Sequence, residues 1–452
     1  MFVHTARAFV MLGTLGIVAE AGGLVVITGS PRAIGRAGTG TVGDDGGGAL
    51  LVNPAAMARR EATRMQLGIG SVDDAIDWRS DSPGAPSSGD QSGSHVTPFG
   101  AVEGALGAWI IGVGAMTSAV GERSLRRPGD LPPQDLGVAF DYRYTGIHSF
   151  ARRDTVTAGV ARRIGDTVAV GASIAASRIK LAETRRMWAG FGGRDRIGDP
   201  QQDVELELGG EDSLSPSAVV GVLVAPAEVP LEFAASVAWT GHTRIDGAAL
   251  AFGTEGGPST SNTAATDSID VTEPWTLRAG TRYVGSRVVA EANYDLWIAP
   301  ASAASAIWQV HGVRIVDPSG RDVELQDVPS RISLRTHSAF RVSGDIELLE
   351  GVLWVTTGYA YTTSSTSASK LSPTFGELPG HTVALGLEAS AGGFTLTFGW
   401  SRTWWPRTHA ETSDLRLDNP FVAGDTTVMP GSYGGSSDQV GIVVDAEIGS
   451  SR

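Results

Sequence analysis

One predicted strand carries the side chains best suited to binding an anion. Between residues 331 and 344, cationic and polar residues alternate with apolar ones, so that one face carries Arg331, Ser333, Arg335, His337 and Arg341. Arginine pairs with a carboxylate through two parallel hydrogen bonds, so Arg335, His337 and Arg341 are candidate contacts for an acidic group. The alternative, which we favour, is that these arginines pair with acids on neighbouring strands. The available acids are Glu291, Asp295, Glu388, Asp445 and Glu447.

Two apolar islands interrupt polar stretches that follow predicted strands. The first runs from Met187 to Phe191, and the second from Ala248 to Phe252. An apolar groove built from them would bind a hydrophobic molecule. Packing of the two loops against each other explains the same residues equally well, so both interpretations stay open. The side chains concerned are Trp188, Phe191, Leu250 and Phe252.

Signatures of enzyme chemistry are missing from the sequence. The chain has no cysteine, and its 8 histidines include no His-x-x-x-His or His-Glu-x-x-His pair, so zinc chemistry is unsupported. It has neither a Gly-x-Ser-x-Gly nucleophile motif nor a phosphate-binding loop. His337 and Ser338 would lie on opposite faces of a strand, which is wrong for a Ser–His pair. We predict no catalytic activity, no cofactor and no metal, and keep a lipid hydrolase as a minor alternative.

The composition and the N-terminus indicate an exported protein. A net charge of −14 argues against a nucleic-acid partner. Residues 1–21 have the pattern of a signal peptide, with a weakly positive start, an apolar core over residues 8–18 and a small-x-small site at residues 19–21. The apolar run is too short for a bilayer span, which disfavours an uncleaved anchor helix.

Beyond residue 60 the chain repeats one pattern, a strand with two different faces followed by a break. From Val440 to Ile448, apolar residues occupy every second position, while Asp445 and Glu447 share the other face. The connections alternate between short turns and long loops rich in Gly, Ser, Asp and Pro, which is typical of an outer-membrane β-barrel. We predict fourteen antiparallel strands near residues 64–78, 95–104, 107–116, 150–163, 166–183, 214–225, 230–243, 274–284, 286–297, 331–344, 351–362, 380–390, 393–405 and 438–448.

A soluble β-sandwich or propeller is the alternative, because it produces the same alternation. The regular alternation in loop length favours the barrel. The polar faces carry charges and glycines, which would make a poor sandwich core. Tryptophans near strand ends would form the interfacial girdle of a membrane barrel. They are Trp78, Trp239, Trp297, Trp404 and Trp405.

Residues 28–60 break the strand pattern and form a compact, glycine-rich stretch. Its motifs, in chain order, are Gly35-Arg36-Ala37, a glycine-rich turn at residues 38–40, Asp44-Asp45 and Asn53-Pro54-Ala55. In order and spacing they resemble the N-terminal hatch of the FadL (OMPP1/FadL/TodX) family of outer-membrane long-chain fatty acid transporters. The resemblance divides the chain into a signal peptide (1–21), a hatch that plugs the lumen (22–60) and a transmembrane barrel (61–452). An ordinary Asn-Pro turn would account for residues 53–54 alone.

The resemblance also implies a route for a ligand. Long-chain fatty acids or similar hydrophobic molecules would enter at the extracellular loops, bind in the lumen and leave through the lumen or sideways into the lipids of a bacterial outer membrane. The family's lateral exit lies in its third strand, where this chain has Gly112 and Gly114. Glycine allows a kink in a strand, and simple use of glycine at inward positions is equally supported.

Three further points concern barrels of this class. The protein is expected to be a monomer. A structural or adhesin-type barrel, whose acidic loops bind external partners, is the alternative, and it would need neither a hatch nor apolar loop islands. One departure concerns the C-terminus, because outer-membrane strands usually end in an aromatic residue and here Ile448 is followed by Gly-Ser-Ser-Arg452.

Overall fold

The computed structural model of the protein describes residues 25–26, 30–44, 46–59, 62–80, 88–127, 141–190, 199–254, 256–375, 377–410, 419–421 and 431–448. The predicted signal peptide, Asp45 and Phe191 lie outside these residues. Within the described part of the chain, no helix has the length and apolar character needed to cross a membrane.

Fourteen long antiparallel strands form the body of the molecule, as the sequence predicts. They are β1 (Thr63–Arg79), β2 (His95–Leu106), β3 (Trp109–Ser124), β4 (His148–Ile164), β5 (Val168–Trp188), β6 (Asp203–Val224), β7 (Leu231–Thr240), β8 (Trp275–Val284), β9 (Val288–Ile298), β10 (His337–Leu349), β11 (Leu353–Thr362), β12 (Gly380–Ala391), β13 (Phe394–His409) and β14 (Ser432–Ile448). Each strand pairs with the next, and β14 pairs with β1 from Ile448 opposite Thr63 to Ser432 opposite Arg79. The sheet therefore closes on itself.

The outer surface of the barrel carries an apolar belt. Alternate residues point outward, and in the half of each strand next to the short turns the outward ones are mostly aliphatic or aromatic. Such an apolar belt on a closed barrel is what contact with lipid requires. Examples on three neighbouring strands are Phe394, Leu396, Phe398, Val440, Ile442, Val444, Met65, Leu67 and Ile69.

Aromatic side chains flank this belt, but some of the tryptophans that were predicted to do so face inward instead. Trp239 and Trp404 are exposed at its loop side, as expected. The prediction is wrong for Trp78 and Trp297, which are 1 % and 6 % exposed and face inward, because they share the face of the inward polar residues. The ring of Trp405 also turns inward, 5.6 Å from the Arg123 guanidinium carbon.

Above the belt, on the long-loop side, loops and further strands form a packed layer, which we call the extracellular layer because the long loops of outer-membrane barrels face the outside of the cell. Trp308 lies at its centre and is fully buried. Apolar residues from several long loops and from the outer ends of β5 and β6 surround it. The additional strands of the described chain are Val25–Val26, Ser88–Gly89, Thr243–Gly247, Leu250–Gly253, Ser259–Val271, Ile307–Val316, Asp322–Glu324 and Asp327–Pro329.

The described helices are all short. Two α-helices lie in the N-terminal part of the chain, α1 (Pro31–Ile34) and α2 (Ala49–Val52). The first is started by a proline, whose fixed φ suits the first helical position. The 3-10 helices are Pro54–Arg59, Asp141–Tyr144, Pro200–Gln202, Ala301–Ala304 and Ala368–Lys370.

The tenth strand begins later than the sequence predicts. It starts at His337 rather than at residue 331. Ile332 and Leu334 lie in the apolar core of the extracellular layer, so the alternation over residues 331–336 reflects loop packing and not a strand.

Candidate binding site in the barrel lumen

The N-terminal segment, which we define as residues 30–59, lies against the inner face of the barrel. Helix α1 contacts β12, β13 and β14, and the 3-10 helix Pro54–Arg59 contacts β3 to β6. The amide of Val42 donates to Glu291 of β9 at 3.0 Å, and Ser236 of β7 donates to the carbonyl of Val52 at 2.6 Å. The amide of Gly47 donates to Gln66 of β1 at 2.7 Å. The segment thus contacts opposite sides of the lumen at once.

Three arginines attach this segment to acids of the barrel wall. Arg36 pairs with Asp345 of β10 at 2.6 Å, and both side chains are buried. A second hydrogen bond, from Arg36 Nε to the same carboxylate at 3.2 Å, makes the contact bidentate. Arg32 pairs with Glu388 of β12 at 3.0 Å. Arg59 pairs with Glu232 of β7 at 2.6 Å.

The motifs recognised in the sequence form the turns of the segment. Ala37 has a positive φ of 52° and Gly38 one of 81°, which reverses the chain after α1. Asn53 Oδ1 accepts from the amide of Ala55 at 3.2 Å, so the side chain bonds to local backbone as expected. Its Nδ2 donates to the carbonyl of Thr41 at 2.9 Å, which ties two turns of the segment together.

Inward glycines of the strands make room for this segment. A Cβ built on Gly171 of β5 would lie 2.4 Å from the backbone of Pro54 and Ala55, and one on Gly358 of β11 would lie 2.4 Å from Arg36. We call the set the glycine belt. Its members are Gly68, Gly112, Gly114, Gly159, Gly171, Gly221, Gly280, Gly358, Gly386, Gly399 and Gly441. Strands β2, β7, β9 and β10 meet the segment through side chains instead, so all fourteen strands contact it.

Gly171→Ala is expected to destabilise the docked segment by roughly 1–3 kcal/mol, because the added Cβ meets backbone atoms that cannot rotate away. Denaturant unfolding in lipid vesicles, together with proteolysis of the segment, measures the effect. Gly344→Ala is the matched control, since a Cβ there faces outward and comes only to 3.8 Å of the nearest atom. Equal stability of the two variants would contradict the expectation.

Above the segment lies a partly open cavity of about 220 Å³. Leu51 and Val52 of the segment form its floor, and residues 332, 334 and 375 of the extracellular layer lie at its opposite end. Its walls come from β3 to β9 and mix aliphatic and aromatic side chains with hydroxyl and charged groups. The side chains of the wall that matter below are Ser118, Ala119, Arg153, Ile179, Val219, Glu273, Arg278 and Trp297.

The arginines predicted to contact a ligand lie elsewhere. Arg335 precedes β10, is exposed, and donates to the carbonyl of Ser364 at 3.0 Å. Arg341 faces inward but pairs with Asp295 at 3.1 Å and donates to the carbonyl of Ala37 at 3.0 Å. It therefore follows the acid-pairing alternative and also holds the N-terminal segment.

His337 lies behind the cavity wall rather than in it. Its ring stacks on Trp297 with centroids 4.8 Å apart, and its Nδ1 donates to the carbonyl of Arg335 at 2.7 Å. The Trp297 ring thus separates His337 from the cavity. The expected common face of Arg335, His337 and Arg341 is wrong, because only the last two belong to a strand.

The two apolar islands pack into the extracellular layer. Met187, Ala189, Ala249 and Ala251 belong to its buried core, and Trp188 is buried against Tyr144. Leu250 and Phe252 alternate with the buried alanines and are 39 % and 46 % exposed. The islands lie on either side of the outer end of β6. These contacts favour the loop-packing interpretation over a ligand groove.

A seam runs through the barrel wall between the outer parts of β2 and β3. Their backbone pairing ends at Phe99 and Met116, although β2 extends to His95 and β3 to Ser124. In the described part of the chain, this stretch of β3 pairs with the two-residue strand Val25–Val26 rather than with β2. The wall is therefore not continuous by strand pairing along this stretch.

Strand β3 is irregular, but not at Gly112 and Gly114, where the sequence predicted a kink. Pairing is regular at Gly112 and Gly114, which face inward against Leu50 of the segment. The register shift against β4 falls between Thr117 and Ala119. The glycines thus accommodate the segment, and the bulge next to the seam is formed by other residues.

The cavity reaches the seam from the inside. Ser118 and Ala119, which lie at the bulge, are part of its wall. A groove on the outer surface ends at the same place and is lined by Pro98, Met116 and Thr117. Cavity and groove therefore approach the seam from opposite sides, and the strand Val25–Val26 pairs with β3 there, with Val26 opposite Ala119.

Sequence reasoning missed the ion pair of the cavity. Arg153 of β4 forms an ion pair with Glu273, which precedes β8. Alternation alone does not reveal Arg153, because Arg152 next to it is an equally good candidate for the inward face. Glu273 lies between two strands, where no periodicity indicates a direction.

Comparison by sequence finds no relatives, whereas comparison of structures does. No family model matches the chain, and no curated protein matches it. A FadL homologue from Pseudomonas aeruginosa superposes with a TM-score of 0.70 at 13 % identity, covering 96 % of this chain and 100 % of that one.

Two solved structures described as toluene transporters are also similar. TbuX of Ralstonia pickettii gives a TM-score of 0.63 at 15 % identity, over 93 % of this chain and 98 % of its own. TodX of P. putida gives 0.65 at 14 % identity, over 93 % and 98 %. Together with the apolar outer belt, the closed barrel places the protein in a bacterial outer membrane. The chain has the fold of the FadL and TodX outer-membrane channels, as its N-terminal motifs suggested.

Proposed function

We propose that the protein is a passive channel for hydrophobic compounds, which bind in the lumenal cavity and leave sideways through the seam into the bilayer. The observation that carries this proposal is the position of Ser118 and Ala119. Both line the cavity, and both lie in the part of β3 that is not paired with β2. A molecule leaving the cavity there enters lipid without crossing water.

The N-terminal segment supports a sideways exit over a straight one. It contacts all fourteen strands below the cavity and is held by three arginine–carboxylate pairs. We propose that it acts as the hatch expected from the sequence and blocks the direct path toward the short-turn rim. An adhesin-type barrel would need neither this blocked lumen nor a cavity that reaches a seam.

The size of the cavity favours compact ligands. An apolar cavity of roughly 150 Å³ is enough to bind benzene, and the cavity here measures about 220 Å³. Two of the similar solved structures are described as toluene transporters. We therefore propose compact hydrophobic molecules as the first class of substrate. Transport of long-chain fatty acids stays a prediction of the sequence resemblance.

Ser118→Trp tests the route. The indole would fill the cavity end next to the seam, so uptake of radiolabelled toluene is expected to fall about tenfold or more, equivalent to an added barrier of ~1.4 kcal/mol. Uptake is measured in a bacterial strain that lacks other channels for hydrophobic compounds. Electrophoretic mobility of the unheated barrel verifies folding.

Val113→Trp is the matched control, because Val113 lies on the same strand but faces lipid. A tryptophan there adds bulk without obstructing the route. If a folded Ser118→Trp protein takes up toluene at the rate of the Val113→Trp protein, the seam is not the exit.

A further inference from the structure

The lumenal cavity is lined by charged side chains as well as by apolar ones. In the described part of the chain they are Arg153, Glu273 and Arg278. A guanidinium nitrogen of Arg153 donates to a carboxylate oxygen of Glu273, and these two side chains are only 20 % and 18 % exposed. Arg153 and Glu273 therefore balance each other's charge, whereas Arg278 lies outside this pair.

The carboxylate nearest to Arg278 along the sheet is shared with another arginine. Asp295 stands opposite Arg278 in the pairing of β8 with β9. Its carboxylate, however, accepts a hydrogen bond from Arg341 at 3.1 Å. One acid thus serves two arginines, so it does not neutralise both, and the cavity wall keeps an excess of positive charge at Arg278.

Both cavity arginines also have a buried donor that is not used. Nε of Arg153 and Nη1 of Arg278 have no hydrogen-bond partner among the described residues. The hydroxyls of the same wall bond to one another instead, Ser118 to Thr155 at 2.7 Å and Thr155 to Ser177 at 2.9 Å. A buried donor without a partner is costly, and more so when it is charged. An acceptor atom of a ligand would remove this cost.

We infer that Arg153 and Arg278 form a site for a hydrogen-bond acceptor, so that the cavity prefers compact aromatic molecules that carry an oxygen atom to pure hydrocarbons. This inference rests on the proposed function, since it defines the substrate class of the same cavity. A hydrocarbon leaves both donors unpaired, and a site with buried donors discriminates against such a ligand. An oxygen acceptor pairs with a free donor and leaves the bond between Arg153 and Glu273 intact.

Acetophenone and α-methylstyrene test the inference, because they have the same shape and differ in a carbonyl oxygen against a methylene group. Binding of each is titrated by calorimetry at neutral pH to the full-length barrel in detergent, and corrected for partition into protein-free micelles. The unaltered protein is expected to bind acetophenone at least about tenfold more tightly, given the strength of hydrogen bonds to charged groups.

Arg278→Met should reduce this preference about tenfold, because it removes one of the two free donors. Asp295 keeps its bond from Arg341 in this variant, so folding should be preserved. Arg287→Met is the matched control. Arg287 lies in the short turn between β8 and β9 and its side chain is 70 % exposed, so this variant should keep the preference of the unaltered protein.

Equal affinity of the unaltered protein for acetophenone and α-methylstyrene would overturn the inference, and this measurement needs no variant. A folded Arg278→Met protein that keeps the full preference would also overturn it. Absence of binding of both compounds in every form would instead refute the proposed function of the cavity.

Neutral and anionic oxygen atoms share the proposed chemistry, and benzoate distinguishes them once acetophenone is shown to be preferred. Benzoate that binds more tightly than acetophenone would assign the site to carboxylates, whose charge offsets that of Arg278. Benzoate that binds less tightly would assign it to neutral acceptors such as ketones and esters.

Discussion

Deletion of residues 30–59 is expected to turn the barrel into an open pore for small hydrophilic solutes. The segment contacts all fourteen strands from inside the lumen, while strand pairing closes the wall without it. Its removal leaves polar strand faces such as those of Glu232, Arg282 and Glu291, which water can solvate. Conductance across a planar lipid bilayer, and entry of a polar dye into vesicles, should both rise from near background.

The unaltered protein is the reference for this measurement, and its conductance should be small. A difference in electrophoretic mobility between unheated and heated samples of the deletion variant shows that its barrel has folded. A folded deletion variant that conducts no more than the unaltered protein would mean that other residues close the lumen, and the segment would lose its proposed role as a hatch.

Arg36→Met is expected to weaken the attachment of the N-terminal segment by about 3–5 kcal/mol, the usual cost of leaving one member of a buried ion pair alone. Among the described residues, Asp345 would then keep one hydrogen bond, from the hydroxyl of Thr356 at 2.8 Å. The segment should therefore become sensitive to protease added at the short-turn side. Denaturant titration of protease sensitivity in vesicles gives the free energy of docking.

Two further variants distinguish the cost of leaving a buried charge unpaired from the general effect of removing an arginine. Arg79→Met removes an exposed arginine, whose side chain is 64 % accessible, and should change the free energy of docking by less than about 1 kcal/mol. Arg36→Met combined with Asp345→Leu removes both charges and should recover much of the loss. Failure of the double variant to improve on Arg36→Met would show that the pair matters through its geometry rather than through its charge.

The strands could be predicted from sequence because each has one lipid face and one lumen face. The period of two is strong where both environments are uniform, as from Val440 to Ile448. The same alternation gives a wrong strand prediction where a loop packs into a separate apolar core. Ile332 and Leu334 alternate with polar residues, yet they are buried in the extracellular layer rather than placed on a strand.

The candidate binding site could be predicted only in part, for a different physical reason. Its location in the lumen followed from the resemblance, and the acid pairing of Arg341 followed from the polar faces of the strands. The ion pair that lies in the cavity did not follow from either of these. The pairing of Arg153 with Glu273 spans five strands, from β4 to the start of β8, and no local pattern encodes such a contact.

The glycine belt has a consequence for assembly of the protein. The segment precedes β1 in the chain, yet Gly399 and Gly441, on the last two strands, lie against it. Contacts of such large sequence separation form late in folding. The segment must therefore be on the lumenal side of the sheet when β14 meets β1, or reach it afterwards through the short-turn rim. Docking of the N-terminal segment is therefore a late event in assembly, and a side chain in place of a belt glycine would slow that docking without preventing closure of the barrel.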